Sequence, residues 1–182
     1  MSKSAEKILD TAEQLFNQHS FVAVGVDLIR DESGCSKTTL YTYFKNKQQL
    51  IVEVLKKRDL RYRQSLQDYV GDQQHVDALT RILDWHLAWF QSDQFKGCLF
   101  VRAVAESSQH DQEVIELARE HKHWLRDYIH QHCQGLAHAE QISSLYALLL
   151  EGLISRFLVE GYDADVAVAT KASLLRLITQ QA

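Results

Sequence analysis

Hydrophobic residues recur at spacings of three and four along most of the chain, as expected for helices with one buried face. The first stripe of this kind consists of Ala5, Ile8, Leu9, Ala12, Leu15 and Phe16. A shorter stripe follows, in which Val26 and Ile29 share a face. Strand-like alternation between turn residues does not occur in the sequence. The pattern therefore predicts an all-α protein.

Glycines and capping residues set the limits of the predicted helices. Gly34 is suited to end a helix over 26–33, and Ser36 is suited to cap a helix over 37–44. Asn46 and Gln49 have the form of a capping box at the start of a long helix that runs towards residue 71. Later helices are predicted over 75–91, 98–106, 111–134, 139–160 and 165–180. About nine helices are expected in total.

The composition supports the helical interpretation and indicates a cellular compartment. The chain contains no proline and seven glycines, which are few for the tight turns of a sheet protein. Neither an apolar signal core nor a membrane-length apolar run is found. Cys35, Cys98 and Cys133 are odd in number and widely spaced, which fits reducing conditions better than a disulfide framework. We expect a soluble, cytoplasmic protein with no membrane partner.

Charge is distributed unevenly along the chain. Residues 1–65 contain eleven Lys/Arg and eight Asp/Glu, whereas residues 66–182 contain nine and sixteen, for a net charge of −4. A basic head on an acidic body is typical of a phosphate-binding module joined to a module of another kind. Chance segregation is the alternative, because an excess of three charges is small.

The stretch over 26–47 has the form of a helix-turn-helix, in which two short helices flank a glycine-containing turn and the second helix enters the major groove. The second helix carries one lysine, three threonines and two tyrosines, which are suited to phosphates and base edges. Leu40 and Phe44 form its apolar, anchoring side. An ordinary helical hairpin with solvent-facing polar side chains is the alternative.

The same stretch resembles the N-terminal signature of the TetR family of bacterial regulators, which runs roughly I-x-x-x-A-G-V-S-x-x-T-L-Y-x-Y-F-x-x-K. The matching residues are Ile29, Gly34, Ser36, Thr39, Leu40, Tyr41, Tyr43, Phe44 and Lys47. The resemblance is specific over residues 5–60. Arg30 replaces a usual alanine, and Val24-Gly25 replaces a usual hydroxyl residue that contacts phosphate.

The resemblance implies a homodimeric transcriptional repressor that binds a palindromic double-stranded DNA operator and is released by a small-molecule effector. It implies a helix-turn-helix DNA-binding domain over 1–47, a linking helix over 47–70, and a helical ligand-binding and dimerisation domain over 71–182. The implied DNA contacts are Ser36, Lys37, Thr38, Thr39, Tyr41, Thr42, Tyr43 and Lys47. Among these, Lys37, Tyr43 and Lys47 are assigned to phosphates, and the threonines, with Tyr41, to the groove.

The last two predicted helices are apolar on more than one side and must therefore bury more than one side. Gly152 inside a helix costs about 1 kcal/mol relative to alanine, which close approach by another helix explains. The resemblance implies a four-helix dimer interface from these helices. The predicted interface residues are Leu145, Leu149, Gly152, Leu153, Leu174, Leu175 and Ile178. A monomeric core is the alternative.

Aromatic residues with helical spacing in the C-terminal part suggest a small-molecule cavity. Its predicted lining is His86, Trp89, Phe90, Phe100, Trp124 and Tyr128. Plain core packing is the alternative for any one of them.

Other chemistry is not favoured by the sequence. Nine histidines are present without a CxxC or HExxH pattern, so neither a metal nor a cofactor is expected. No nucleophile elbow or phosphate-binding loop occurs, and the chain is not expected to be an enzyme. Two alternative functions use the C-terminal domain: an all-helical enzyme and a thiol-based redox sensor.

Overall fold

A computed structural model describes residues 2–108 and 111–179 of the chain. These residues contain nine α-helices and no β-strand. The helices are α1 Lys3–Gln18, α2 Val26–Ser33, α3 Lys37–Tyr43, α4 Lys47–Val70, α5 His75–Phe90, α6 Leu99–Ala105, α7 Gln112–Cys133, α8 Ala139–Glu160 and α9 Ala164–Thr179. The predicted all-α class with about nine helices is confirmed.

The caps predicted from the sequence form at the N-terminal helices. Gly34 follows α2 in the left-handed conformation with φ of 62°, which costs a glycine little. The Ser36 hydroxyl accepts a hydrogen bond from the Thr39 amide at 3.0 Å and so caps α3. Asn46 Oδ1 likewise accepts from the Gln49 amide at 2.8 Å. The Gln49 side chain accepts from the Lys45 amide, one residue earlier than in the standard capping box.

The chain forms two compact units. The first unit comprises Met1–Tyr62 and Cys98–His121. Its core is built where α1, α2 and α3 pack on one another and on the start of α4. The fully buried side chains at this centre are Ile8, Leu9, Phe16, Ile29, Leu40, Leu50 and Leu55. The apolar stripes of the first three helices therefore meet in a three-helix core, as the sequence spacing requires.

The second unit comprises Arg63–Gly97 and Lys122–Ala182. Helices α5, α8 and α9 pack on one another at its centre. Tyr146 of α8 is fully buried, and its hydroxyl donates to the Leu79 carbonyl at 2.7 Å. Lys171 of α9 pairs with Asp84 of α5. The domain boundaries predicted from the resemblance do not coincide with the boundaries of these two compact units. The predicted domains therefore stay a prediction.

The sequence predicts no membrane-length apolar run, yet within the described residues α8 alone is long and apolar enough to cross a membrane by length and composition. Core helices of soluble proteins pass the same test, and α8 buries Tyr146, Leu150 and Phe157 in the second unit. This finding is therefore weak evidence for a membrane span.

Candidate nucleic-acid interface and ligand-binding residues

Helix α3 buries one side and presents the other to solvent. Leu40 is fully buried, and Phe44 directly after the helix is buried as well. The opposite face forms a shallow depression of about 530 Å³ lined by Lys37, Thr38, Tyr41 and Thr42. A lysine, two threonines and a tyrosine on one exposed face can donate to phosphates and base edges.

Short hydrogen bonds fix the hydroxyls along α3. The Ser36 and Thr39 hydroxyl oxygens lie 2.8 Å apart at the start of the helix. The Thr42 hydroxyl donates to the Thr38 carbonyl at 2.8 Å. These bonds hold the side chains in defined rotamers beside the exposed face. The geometry brings seven of the predicted contact residues, all but Lys47, onto one short helix and its cap.

Acidic residues of α2 pair with nearby cations. Lys37 Nζ lies 3.3 Å from Asp27 Oδ1. Arg30 also donates to Asp27 at 2.9 Å and to Asp31 at 2.7 Å, and its hydrogen bond to Asp31 is the main cause of its raised pKa. The unusual Arg30 thus holds two carboxylates on α2 itself. Exposed pairs of this kind are weak, so Lys37 can exchange Asp27 for a phosphate.

Lys47, the remaining predicted contact, begins α4 and is half-buried. Burial lowers the pKa of Lys47, and the negative charge of Glu106 opposes that effect. Glu106 Oε2 also accepts a hydrogen bond from the Val22 amide at 3.0 Å. The carboxylate thus holds the loop between α1 and α2 from a residue just beyond α6.

Arg102 of α6 also hydrogen-bonds to distant backbone groups within the first unit. Its guanidinium donates to the Phe16 and Asn17 carbonyls at 3.2 and 2.9 Å, satisfying orphan carbonyls at the C-terminal end of α1. Arg102 lies in α6, and Glu106 follows that helix directly. Their partners are backbone groups more than eighty residues away, for which the sequence carries no spacing signal.

Three of the predicted cavity residues lie together on α5. His86 is fully buried, and its Nδ1 lies 2.7 Å from the Ile82 carbonyl oxygen. Its ring centre is 6.4 Å from that of Trp89 and 6.2 Å from that of Phe90. Phe90 also packs edge-on against Phe157 of α8. This cluster combines predicted ligand contacts with ordinary core packing.

The other three predicted cavity residues fall into two groups. Trp124 and Tyr128 stack with ring centres 5.1 Å apart and planes only 9° from parallel. Both residues belong to the second unit, as does the α5 cluster. Phe100 belongs to the first unit, where it stacks on His121 at 3.8 Å. The shared lining of one cavity by all six residues stays a prediction.

The predicted dimer residues divide between the core and the surface. Leu153, Leu174 and Ile178 are buried within the chain. Leu145 is exposed, Leu149 is half-buried, and a side chain added at Gly152 meets open space. Leu175 is half-buried on α9. The same face of α8 also carries Leu148, which is 68% exposed.

The three cysteines differ in environment. Cys133 is fully buried, and burial raises the pKa of its thiol to about 11. Cys35 and Cys98 are half-buried thiols. Since the thiolate is the reactive form, Cys133 is poorly suited to redox sensing.

Comparison with known proteins identifies the N-terminal region. The model of the family "Bacterial regulatory proteins, tetR family" matches residues 8–54. The HTH-type transcriptional regulator Rv1255c of Mycobacterium tuberculosis, itself uncharacterised, is 43% identical over 47 residues. That match covers 26% of this chain and 23% of the relative, so it spans less than a quarter of the relative's length.

The fold of the whole chain matches solved structures. SCO4454, a TetR-family transcriptional regulator from Streptomyces coelicolor, has a TM-score of 0.86 at 21% identity, with 98% of this chain and 97% of that chain covered. A cysteine mutant of the TetR-family regulator CifR, complexed with 26-bp operator DNA, has a TM-score of 0.80 at 18% identity, with 97% and 96% covered. At these identities the likeness shows a shared fold. Residues 8–54 thus match the TetR family model, and the chain as a whole has the fold of these TetR-family structures.

Proposed function

We propose that the protein is a homodimeric transcriptional repressor that binds a palindromic operator and is released by a small-molecule effector. The observation that carries the proposal is the exposed face of α3, where Lys37, Thr38, Tyr41 and Thr42 surround a shallow depression above the buried Leu40. A reading helix needs this combination of a fixed apolar side and a polar side free to enter the major groove.

The proposed DNA contacts are those implied by the resemblance. Lys37, Tyr43 and Lys47 are assigned to phosphates, where a cation or a hydroxyl fixes the register of the helix. Thr38, Thr39 and Thr42, with Tyr41, are assigned to base edges. Ser36 caps the helix and adds a hydroxyl at its start. The operator-bound CifR structure has the same fold, which supports DNA as the partner.

A homodimer supplies the second reading helix that a palindrome requires. The exposed α8 face formed by Leu145, Leu148 and Gly152 supports this part of the proposal. An apolar helix face that includes a glycine allows another helix to approach closely. The half-buried Leu149 and Leu175 extend the proposed interface.

Release requires an effector that binds better to a form unable to grip the operator. The aromatic groups of the second unit are the proposed binding region, because aromatic walls with few polar groups suit small organic molecules. A redox mechanism through Cys133 is disfavoured by its buried, protonated thiol.

Selection of duplexes from a random DNA pool by the purified full-length protein tests the proposal. We expect enrichment of two inverted half-sites about one helical turn apart. Sedimentation of the complex is expected to give two protein chains, or a multiple of two, per site. Enrichment of no sequence, or binding by a single chain to a single half-site, contradicts the proposal.

A further inference from the structure

Helix α7 presents three aromatic rings at intervals of four residues. Trp124, Tyr128 and His132 therefore share one face of the helix, which we call the α7 aromatic site. Trp124 and Tyr128 are stacked, and the His132 ring meets Tyr128 edge-on with ring centres 4.9 Å apart. Arg63 lies over the Trp124 ring, with its guanidinium carbon 5.0 Å from the ring centre. All four residues belong to the second unit.

His132 is the unusual member of this site. It is only 6% exposed, and neither of its two ring nitrogens has a hydrogen-bond partner. Most buried polar side chains are paired, since an unpaired buried donor or acceptor is costly. His86, the buried histidine of α5, has Nδ1 at 2.7 Å from a backbone carbonyl oxygen. His132 therefore differs from an ordinary core histidine of this protein.

We propose that the α7 aromatic site binds an uncharged, planar aromatic compound whose hydroxyl or carbonyl group hydrogen-bonds to the His132 ring. The inference rests on the proposed function, because it names the chemical class of the effector. It also adds to the predicted ligand contacts a residue, His132, that the sequence did not single out.

The chemistry of the site selects this class. Trp124 and Tyr128 stack on each other and together form an aromatic wall, which favours an apolar, aromatic partner. Burial lowers the pKa of His132, and repulsion from His75 lowers it further, so the ring favours its neutral form. A neutral imidazole has one donor and one acceptor nitrogen, which match a carbonyl and a hydroxyl respectively. A charged ligand must give up its hydration where burial already disfavours charge.

The surroundings of His132 are also unusual in their backbone. His75 begins α5 with a positive φ of 48°, a backbone conformation that residues other than glycine seldom adopt. Its Cε1 lies 3.8 Å from the point where a side chain at Gly135 begins. Gly135 itself has φ of 90°, so a substitution there is strained as well as close to His75. Gly135 thus leaves a position without a side chain beside the His75 imidazole, which lowers the pKa of His132.

Phenol and acetophenone are suitable probes, with toluene and benzoate as matched compounds that lack the polar group or carry a charge. Each is titrated into the full-length, DNA-free protein labelled with ¹⁵N in histidine. We expect phenol and acetophenone to shift the His132 ring-nitrogen resonances saturably. Toluene and benzoate are expected to bind at least about tenfold more weakly, the effect of one buried hydrogen bond.

Variants separate the hydrogen bond from the aromatic wall. His132→Phe is expected to reduce phenol affinity about tenfold, and His132→Asn, which keeps a donor and an acceptor, to restore part of it. His123→Phe on the exposed face of the same helix is the matched control and is expected to leave affinity unchanged. If His132→Phe fails to fold, as judged by circular dichroism, Trp124→Leu tests the wall by weakening all four probes.

The outcomes distinguish this inference from the proposed function. Operator binding without any probe tests the regulator, whereas the resonance shifts of DNA-free protein test the site. Absence of a saturable shift at His132, equal shifts with toluene, or equal affinity in the His132→Phe variant overturns the inference. In each of those cases His132 holds at most a water molecule, and sequence-specific DNA binding stands unaffected.

Discussion

Helices α3 and α8 expose opposite kinds of surface. Helix α3 hides Leu40 and turns lysine, threonine and tyrosine side chains outward. Helix α8 hides Tyr146 and Leu150 yet still exposes Leu145 and Leu148. Polar side chains on a rigid helix can hydrogen-bond to phosphates and bases. Exposed leucines instead gain free energy when another apolar surface covers them. The difference supports the two proposals made above, that α3 contacts DNA and that α8 contacts a second copy of the chain.

The largest expected effect concerns the hidden side of α3. Leu40→Ala removes a fully buried side chain, so we expect the free energy of unfolding to fall by about 2–5 kcal/mol. Thermal or urea denaturation measures it. Tyr41→Ala, at the exposed neighbouring position, is the control and should change stability by less than about 0.5 kcal/mol. Equal losses in the two variants contradict the assignment of buried and exposed sides.

A charge on the exposed face of α8 tests the other half of the comparison. Leu148→Glu places a carboxylate in the proposed interface of each partner, and we expect the dimer to dissociate about a hundredfold more readily. Analytical ultracentrifugation over a range of protein concentrations measures the change. Gln67→Glu adds the same charge at an exposed position on α4 and should leave the dimer intact. An undiminished dimer in the Leu148→Glu variant places the interface elsewhere.

We expect removal of the lysine on α3 to weaken DNA binding and to leave dimerisation and stability unchanged. Lys37→Ala should weaken operator binding about tenfold and reduce the salt slope by about one, as expected for one lost phosphate contact. Its dimerisation and unfolding free energy should match those of the wild type, because Lys37 is exposed. Fluorescence anisotropy at several salt concentrations checks both values. An unchanged salt slope assigns Lys37 a role other than phosphate contact.

The smallest expected effect comes from the acidic partner of Lys37. Asp27→Asn frees Lys37 and removes a negative charge near DNA, so operator affinity should rise about two- to fivefold at low salt. The gain should shrink as salt increases. Glu32→Gln, which removes an exposed charge from the same helix, is the matched comparison. A loss of affinity in the Asp27→Asn variant indicates that Asp27 itself contacts a base.

Local signals explain how much of the fold the sequence predicted. The range 26–33 was predicted to the residue because Gly34 ends it and because Ile29 requires a buried face. The same is true of 139–160, where Gly161 ends the helix. Caps and periodic apolar residues act within one or two turns, so one sequence is enough to reveal them.

Contacts between distant elements explain what the sequence left out. Arg102 and Glu106 hold backbone groups near α1, and no local pattern encodes such pairs. The unpaired nitrogens of His132 depend on what other helices place around the ring. Leu148 and Leu150 are apolar residues of the same helix, and only the exposure of Leu148 in the folded chain separates the two. The residues of the helix-turn-helix motif were therefore predictable from the sequence. The contacts that depend on packing between distant helices were not.

The most direct test of the account is binding of the purified protein to the DNA upstream of its own gene, titrated over salt concentration beside the Lys37→Ala and Tyr43→Ala variants. The account predicts specific binding of a dimer that falls steeply with salt and is weaker in both variants. Binding without sequence preference at every salt concentration, or equal binding by all three proteins, contradicts the assignment of α3 as the reading helix.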